Sequence, residues 1–367
     1  MRKRRSETLP RLTSLRWYAA LAVYLYHLSN FMQWAPLNTF SFGQTGVAFF
    51  FVLSGFVLAW STPVDLPAKA FYRRRFARIY PSYLVMLAIG GALVLSWRAL
   101  HIRGGSGAAV LTLLVVQAWL PVWKNQYVPY SFDPPMWSLS CEAFFYAGLP
   151  VLNRGLRKLQ PLVRDELAVA WLVAAALVSE VQALHGDGAV AFSDPLLRSA
   201  EFIFGMVLAM KVQAGWRPRI PVAAAVTIMI AACWLARLTD QYLPLPMEDY
   251  VVVVPTGLLL VAGAVADLER RTGILTRRLS VYLGEVSFAF YLVHYLSLLV
   301  ALKALGWGHS WSGWAGFAPL TVTFLASFAA ASALHHFVEL PFQRVLRGRG
   351  SPSIATVAPA RIMPELG

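Results

Sequence analysis

Between Trp17 and Val64 the chain carries no Asp, Glu, Lys or Arg, and the same holds for 79–97, 220–236, 250–266 and 304–338. Charge-free runs of this length leave few folds open. A helix needs about 20 mostly apolar residues to cross the hydrocarbon core of a bilayer. Several runs reach that alone, and two are long enough for a pair of crossings. About 25% of the residues of a soluble domain are charged; here only 14% are, and 58% are hydrophobic. The expected fold is all-α, a polytopic helical protein of the cell membrane.

Eleven apolar segments stand out: 15–34, 43–61, 77–97, 107–122, 136–152, 167–184, 196–212, 220–237, 249–267, 282–304 and 315–338. The connections decide how many cross, because cytoplasmic loops hold the excess of Lys and Arg. Basic runs occupy the start (Met1-Arg-Lys-Arg-Arg5), 62–78, 153–166, 211–219, 267–281 and the C-terminus. The connections 35–42, 184–195, 238–248 and 305–314 are lean. For 62–78 and 153–166 both to lie inside, 79–152 must cross twice, yet it holds three segments. Segment 107–122 is short and closes on Leu120-Pro-Val-Trp123. It is assigned a re-entrant or interfacial course, which a bilayer tolerates where protein or a wet cavity covers the backbone. Ten transmembrane helices follow, with both termini cytoplasmic. Arg98 and Arg103 would then lie outside, a mild misfit. The first segment holds Tyr24, Tyr26, His27 and Asn30 and lacks a small-residue cleavage site, so it reads as a retained span rather than a signal peptide. Residues 1–346 form one transmembrane domain, and 347–367, rich in Pro, Ser and Gly, a disordered cytoplasmic tail.

A net charge of +14 could suggest nucleic acid. The basic residues sit in short runs between apolar segments, which fits cytoplasmic loops and membrane lipid headgroups instead. Cys141 and Cys233 both lie inside apolar segments and argue against a disulfide framework. No internal repeat, Gly-rich phosphate loop, His-Glu-x-x-His or Gly-x-Ser-x-Gly is present.

Ionisable groups inside a bilayer are costly, and each is a functional candidate by default. Arg16 and His27 are eleven residues apart, almost three whole helical turns, so they share a face about 16–17 Å apart. A basic group at the membrane edge and an imidazole near the midplane suit a long ligand with an anionic head and a reactive tip. Coenzyme A thioesters have that shape. The bland alternative is a His27 bonded to a neighbouring helix and an Arg16 facing headgroups. Glu142, in Trp137-Ser-Leu-Ser-Cys-Glu142-Ala-Phe-Phe-Tyr146, lies about 9 Å into its span by helical rise, a depth at which it could meet His27. A carboxylate on one imidazole nitrogen would fix the tautomer and raise the basicity of the other; a protonated Glu142 bonded to a hydroxyl is the alternative. Arg75 and Arg78, in Phe71-Tyr-Arg-Arg-Arg75-Phe-Ala-Arg78-Ile-Tyr-Pro81, share a face at i, i+3. Their forks match phosphate oxygens, although a positive-inside cluster accounts for them equally well. His294 is a second midplane imidazole, either a rival base or a core partner. The adjacent His335 and His336 point to different helix faces, which disfavours a metal pair. In Gly43-Gln-Thr-Gly46 and Ser54-Gly55 the small residues suit close helix packing.

Taken in order, these blocks resemble the acyltransferase-3 family of membrane O-acyltransferases. The matching stretches are Leu15-Arg16…His27, Gly46…Gly55-Phe56, Arg75…Arg78-Ile-Tyr-Pro81, Trp137…Tyr146, Tyr291-Leu-Val-His294 and Phe337-Val-Glu339-Leu-Pro341-Phe. The resemblance implies a ten-span core and an acyl-CoA donor, acetyl-CoA or another short-chain thioester, entering from the cytoplasm. The acyl group would pass to a hydroxyl of a carbohydrate, a glycolipid or cell-surface polymer, or a glycosylated secondary metabolite such as a macrolide. It makes His27 the catalytic base with Arg16 its motif partner, Arg75 and Arg78 the arginines that engage the donor, and Glu142 the acidic residue of the Trp-Ser-Leu block. Ala48 departs from the pattern, standing where many relatives have Asp. The hydrolase-like domain appended to some relatives has no counterpart, which weakens lipopolysaccharide and peptidoglycan as acceptors. No metal is expected. Direct attack and an acyl-histidine intermediate both remain open, and a proton-coupled transporter is the alternative from another functional class.

Overall fold

The computed structural model describes residues 8–97, 105–119, 122–123, 126–127, 129–239, 247–304 and 310–347. Arg98, Arg103, the basic start 1–5 and the tail beyond 347 lie outside the described residues. The fold is helical, as the charge-free runs require. In chain order the helices are α1 (Pro10–Phe31), α2 (Gly46–Ser61), α3 (Ala68–Trp97), α4 (Gly105–Leu113), α5 (Trp137–Lys158), α6 (Pro161–Leu184), α7 (Gly188–Ser193), α8 (Pro195–Gln213), α9 (Val222–Thr239), α10 (Met247–Leu268), α11 (Arg278–Ala304), α12 (Phe317–Leu334) and α13 (Leu340–Arg347). A two-residue hairpin, β1 (Val122–Trp123) with β2 (Gln126–Tyr127), lies between α4 and α5.

Seven helical stretches among the described residues are long and apolar enough to cross a membrane: Ala35–Ser61, Ala68–Val94, Pro161–Leu184, Val222–Thr239, Met247–Leu268, Arg278–Ala304 and Gly313–Val345. The chain is a multi-pass membrane protein. Three further helices have 22, 22 and 19 residues (α1, α5 and α8). Polar residues dilute them, and these are the chemistry-bearing ones: Arg16 and His27 on α1, Glu142 on α5, Arg198 and Glu201 on α8.

Among the described residues of segment 107–122 the helix is the nine-residue α4, about 14 Å long and too short to cross. The chain then turns at Val115, with φ 60°. Its backbone is covered by protein: the Tyr83 hydroxyl donates to Thr112 O at 2.5 Å, Gln117 Nε2 to Met136 O at 3.1 Å, and the Ala118 N–H to Ser140 Oγ at 3.2 Å.

Close crossings hold the centre. A Cβ at Gly55 of α2 would lie 1.9 Å from Phe202 O, and one at Gly205 of α8 would lie 2.0 Å from Val52 O. The two backbones therefore touch through reciprocal glycines, the small-residue packing that membrane helices use in place of a hydrophobic drive. Gly43 and Gly46 bring their segment against Ala22 and Ala19 of α1 in the same way. At the start of α1, Arg11 donates to Asp267 of α10 through its backbone N–H (2.9 Å) and its guanidinium (2.6 Å).

A buried ionic triad ties α8 to α10. Arg198 donates to Glu201 Oε1 at 2.8 Å and to Asp249 Oδ2 at 2.6 Å, with all three side chains shielded from solvent. The rings of Phe51, Trp137 and Phe192 surround its guanidinium at 5.3, 5.7 and 5.2 Å.

Candidate active site

An open cavity lies among α1, α2, α3, α5 and α11. Four of the residues singled out from the sequence line it together: Arg16, Arg75, Arg78 and Glu142. The α3 arginines reach it because they share one helix face. Arg75 lies 5.8 Å from the ring centres of both Phe71 and Tyr146. The Nε groups of Arg16 and Arg75 are buried and have no hydrogen-bond partner. Both side chains line the cavity, where guanidinium groups suit anionic oxygens.

Arg78 differs. It forms an ion pair with Glu339 and lies 5.3 Å from the Phe288 ring centre. Glu339 is fully enclosed: the His335 ring bonds its Oε2 through Nδ1 at 2.8 Å, and Gln343 Nε2 donates to its Oε1 at 3.0 Å. A π-helical turn, His335–Glu339, carries this pair inward. His336 turns the other way and bonds Ser332 O. The sequence flagged His335 and Glu339 only weakly and offered no sign that they meet Arg78. Among the described residues no group of three His, Cys, Asp or Glu side chains could hold a metal.

The expected meeting of Glu142 with His27 is not what the structure contains. Glu142 Oε1 accepts from Ser54 Oγ at 3.1 Å and from the Tyr146 hydroxyl at 2.5 Å. Helical rise fixes a residue's depth but not the direction it faces, and α5 turns Glu142 toward α2. Ser138, one turn earlier, instead shares a 2.8 Å hydrogen bond with the Tyr291 hydroxyl.

The partner of His27 is His294, with His294 Nε2 3.0 Å from His27 Nδ1. The other contacts fix the protons. His294 Nδ1 lies 2.6 Å from Tyr291 O and His27 Nδ1 lies 3.0 Å from Val23 O. A carbonyl only accepts, so each Nδ1 carries hydrogen. In the neutral imidazoles His294 Nε2 then accepts from His27 Nδ1, and His27 Nε2 keeps a free lone pair. His27 is half-buried and does not line the cavity. Tyr291, which does, has its ring centre 5.7 Å from that of His294, so one side chain separates the cavity from the histidine pair.

The acyltransferase-domain profile of acyltransferase family 3 matches residues 9–336. Acyltransferase MdmB of Streptomyces mycarofaciens is 34% identical over 380 residues, which cover 96% of each chain. The putative peptidoglycan O-acetyltransferase YrhL of Bacillus subtilis is 25% identical over 362 residues, 91% of this chain but 55% of its own length. The putative acetyltransferase ORF330 of Acidianus two-tailed virus is 24% identical over 292 residues, 78% of this chain and 82% of its own length. No solved structure matches.

Proposed function

The chain belongs to acyltransferase family 3, and from that premise we propose that it moves a short acyl group from acyl-CoA to a hydroxyl of a carbohydrate, a glycolipid or cell-surface polymer, or a glycosylated secondary metabolite such as a macrolide. The observation that carries the reading is the arginine-lined cavity ending one side chain short of a tautomer-fixed histidine pair. The guanidinium groups of Arg16 and Arg75 hold phosphate oxygens of CoA, and Arg78, fixed by Glu339, adds positive charge to the same wall. Glu142 acts on the arginine side of the site, where it interacts electrostatically with Arg16 and fixes Tyr146.

In the transfer step the acceptor hydroxyl gives its proton to His27 Nε2 as its oxygen attacks the thioester carbonyl. The tetrahedral intermediate collapses, the C–S bond breaks, and His27 returns the proton to the leaving thiolate. The products are an ester and CoA. The imidazolium formed in between shares its Nδ1 hydrogen with Val23 O and His294 Nε2, so His294 orients the base and spreads its charge. With α1, α5 and α8 counted as crossings the chain has ten spans, an even number that keeps both termini on one side, and the basic connections support the cytoplasm as that side and as the side of the donor-facing arginines.

Thiol release from acyl-CoAs by purified protein tests the reading. His27-dependent release stimulated by a hydroxyl acceptor is expected. Release that His27→Ala leaves at the wild-type rate removes His27 as the base.

A further inference from the structure

Ser138, Glu142 and Tyr146 follow one another at i, i+4 and i+8 on α5. They form a stripe along one face of that helix, about 12 Å long by helical rise. All three line the cavity that holds the arginines. The stripe has two different ends. At one, the Tyr146 ring centre lies 5.8 Å from the Arg75 guanidinium. At the other, Ser138 shares its 2.8 Å hydrogen bond with the Tyr291 hydroxyl, and Tyr291 stands between the cavity and the His294–His27 pair. Glu142 occupies the middle. Among the described residues that line the cavity it is the sole acid.

The two oxygens of Glu142 are not equivalent. Oε1 accepts from both Ser54 Oγ and the Tyr146 hydroxyl, whereas Oε2 accepts from none of the described residues. The side chain is half-buried, on the cavity wall rather than enclosed in protein. Two hydroxyls on one oxygen therefore pin the carboxylate and leave the other oxygen to the cavity. An ionised carboxylate only accepts hydrogen bonds, so what meets it there must be a donor. An ionised phosphate has no hydrogen to give. The apolar residues of the same lining, such as Phe50, Leu53, Val57, Ile79 and Phe288, have none either. A CoA thioester carries its donors on the pantetheine arm: a hydroxyl next to the phosphates, then two amide N–H groups in the middle, then the sulfur. A ligand with its phosphates at Arg75 and its thioester at Tyr291 brings those amides past Glu142.

We propose that Glu142 accepts a hydrogen bond from a pantetheine amide N–H of the donor, so that the α5 stripe sets how far the thioester advances toward the histidine pair. This rests on the acyl-CoA reading above. No covalent bond forms or breaks at Glu142; it holds the donor's arm and selects thioesters that carry the amide.

The test compares acetyl-CoA with two analogues in which a methylene replaces one or the other pantetheine N–H. In the wild type one analogue should lose about 10–100-fold in kcat/KM, the worth of a hydrogen bond to a charged group. Glu142→Leu should use acetyl-CoA and that analogue alike. The preference is a ratio within each protein, so a variant that folds in lower yield still reports it. Glu142→Gln, which keeps one carbonyl oxygen, should retain part of the preference. Equal use of all three donors by the wild type, or a preference that Glu142→Leu leaves unchanged, overturns the proposal. Calorimetric Kd values for the same donors, measured without acceptor, need no turnover. A preference in Kd that Glu142→Leu abolishes, in protein that moves no acetyl group, sinks the transfer reading and leaves the Glu142 contact standing. Folded protein that binds none of the donors overturns both.

Discussion

His294 Nε2 lies 3.0 Å from His27 Nδ1, and the Tyr291 and Val23 carbonyls assign the hydrogens on both rings. The pair works in one direction: His294 can hold His27 in the tautomer that leaves Nε2 free, whereas its own nitrogens are both engaged. His27→Ala should lower kcat by about 10²–10⁴-fold, the usual worth of a general base. His294→Ala should cost less and fall on kcat rather than on the KM for acyl-CoA, because it removes an orienting group only. Steady-state kinetics of the two variants checks this, and equal losses would make His294 an equal partner in proton transfer.

Arg16→Gln and Arg75→Gln should each raise the acyl-CoA KM by about tenfold, consistent with losing a charged hydrogen bond. Arg75→Lys should restore little, since an ammonium lacks the planar fork. A change in kcat without a change in KM would place these residues at the reacting carbonyl instead.

The Arg78–Glu339 pair predicts an asymmetric stability result. Glu339→Ala strands a partly buried guanidinium and removes the acceptor of His335 and Gln343, so it should destabilise the protein by about 1–3 kcal/mol, whereas replacing both partners by Met and Leu should cost less. Thermal unfolding of the three proteins in one detergent decides it, and a double variant as unstable as Glu339→Ala would refute the pairing.

Gly55→Ala and Gly205→Ala each push a methyl into a backbone carbonyl at 1.9–2.0 Å. Each should destabilise the fold by about 1–3 kcal/mol through overpacking. Gly155→Ala, where an added Cβ meets nothing within 4 Å, is the matched control for loss of a glycine.

Much of this architecture was legible in the sequence because lipid is an exacting solvent: charge-free runs such as 17–64 must be helical, and the short segment 107–122 cannot cross. The spacing of Arg16 and His27 likewise gave one shared face of α1. Lateral neighbours were not legible. Depth put Glu142 level with His27, but only the packed bundle turns it toward Ser54 and Tyr146. Arg198, Glu201 and Asp249 were missed for a related reason. Arg198 and Glu201 are three apart on one helix, yet the group that makes them a triad comes from α10, and no local window shows which helices become neighbours. His294 stood out as a midplane imidazole, but its role depends on the Tyr291 and Val23 carbonyls, which no side-chain pattern encodes.

The reciprocal glycines also bear on how the cavity opens. α2 lines it from Val47 to Leu58 and is pinned from behind to α8 at Gly55 and Gly205. With backbone against backbone, no side chain is left there to yield, so α2 is a fixed jaw. α3 has Pro81 within it, which removes one helical hydrogen bond, and it exposes Phe76, Leu84 and Ile89. Its ties to the rest of the bundle include side chains, Arg78 to Glu339, Tyr72 to Ala147 O and Tyr83 to Thr112 O, which can rearrange where a backbone crossing cannot. Room for a bulkier acyl chain would come from α3, and moving α3 moves Arg75 and Arg78 with it. Tolerance for acyl length and grip on the donor's phosphates are then mechanically one property.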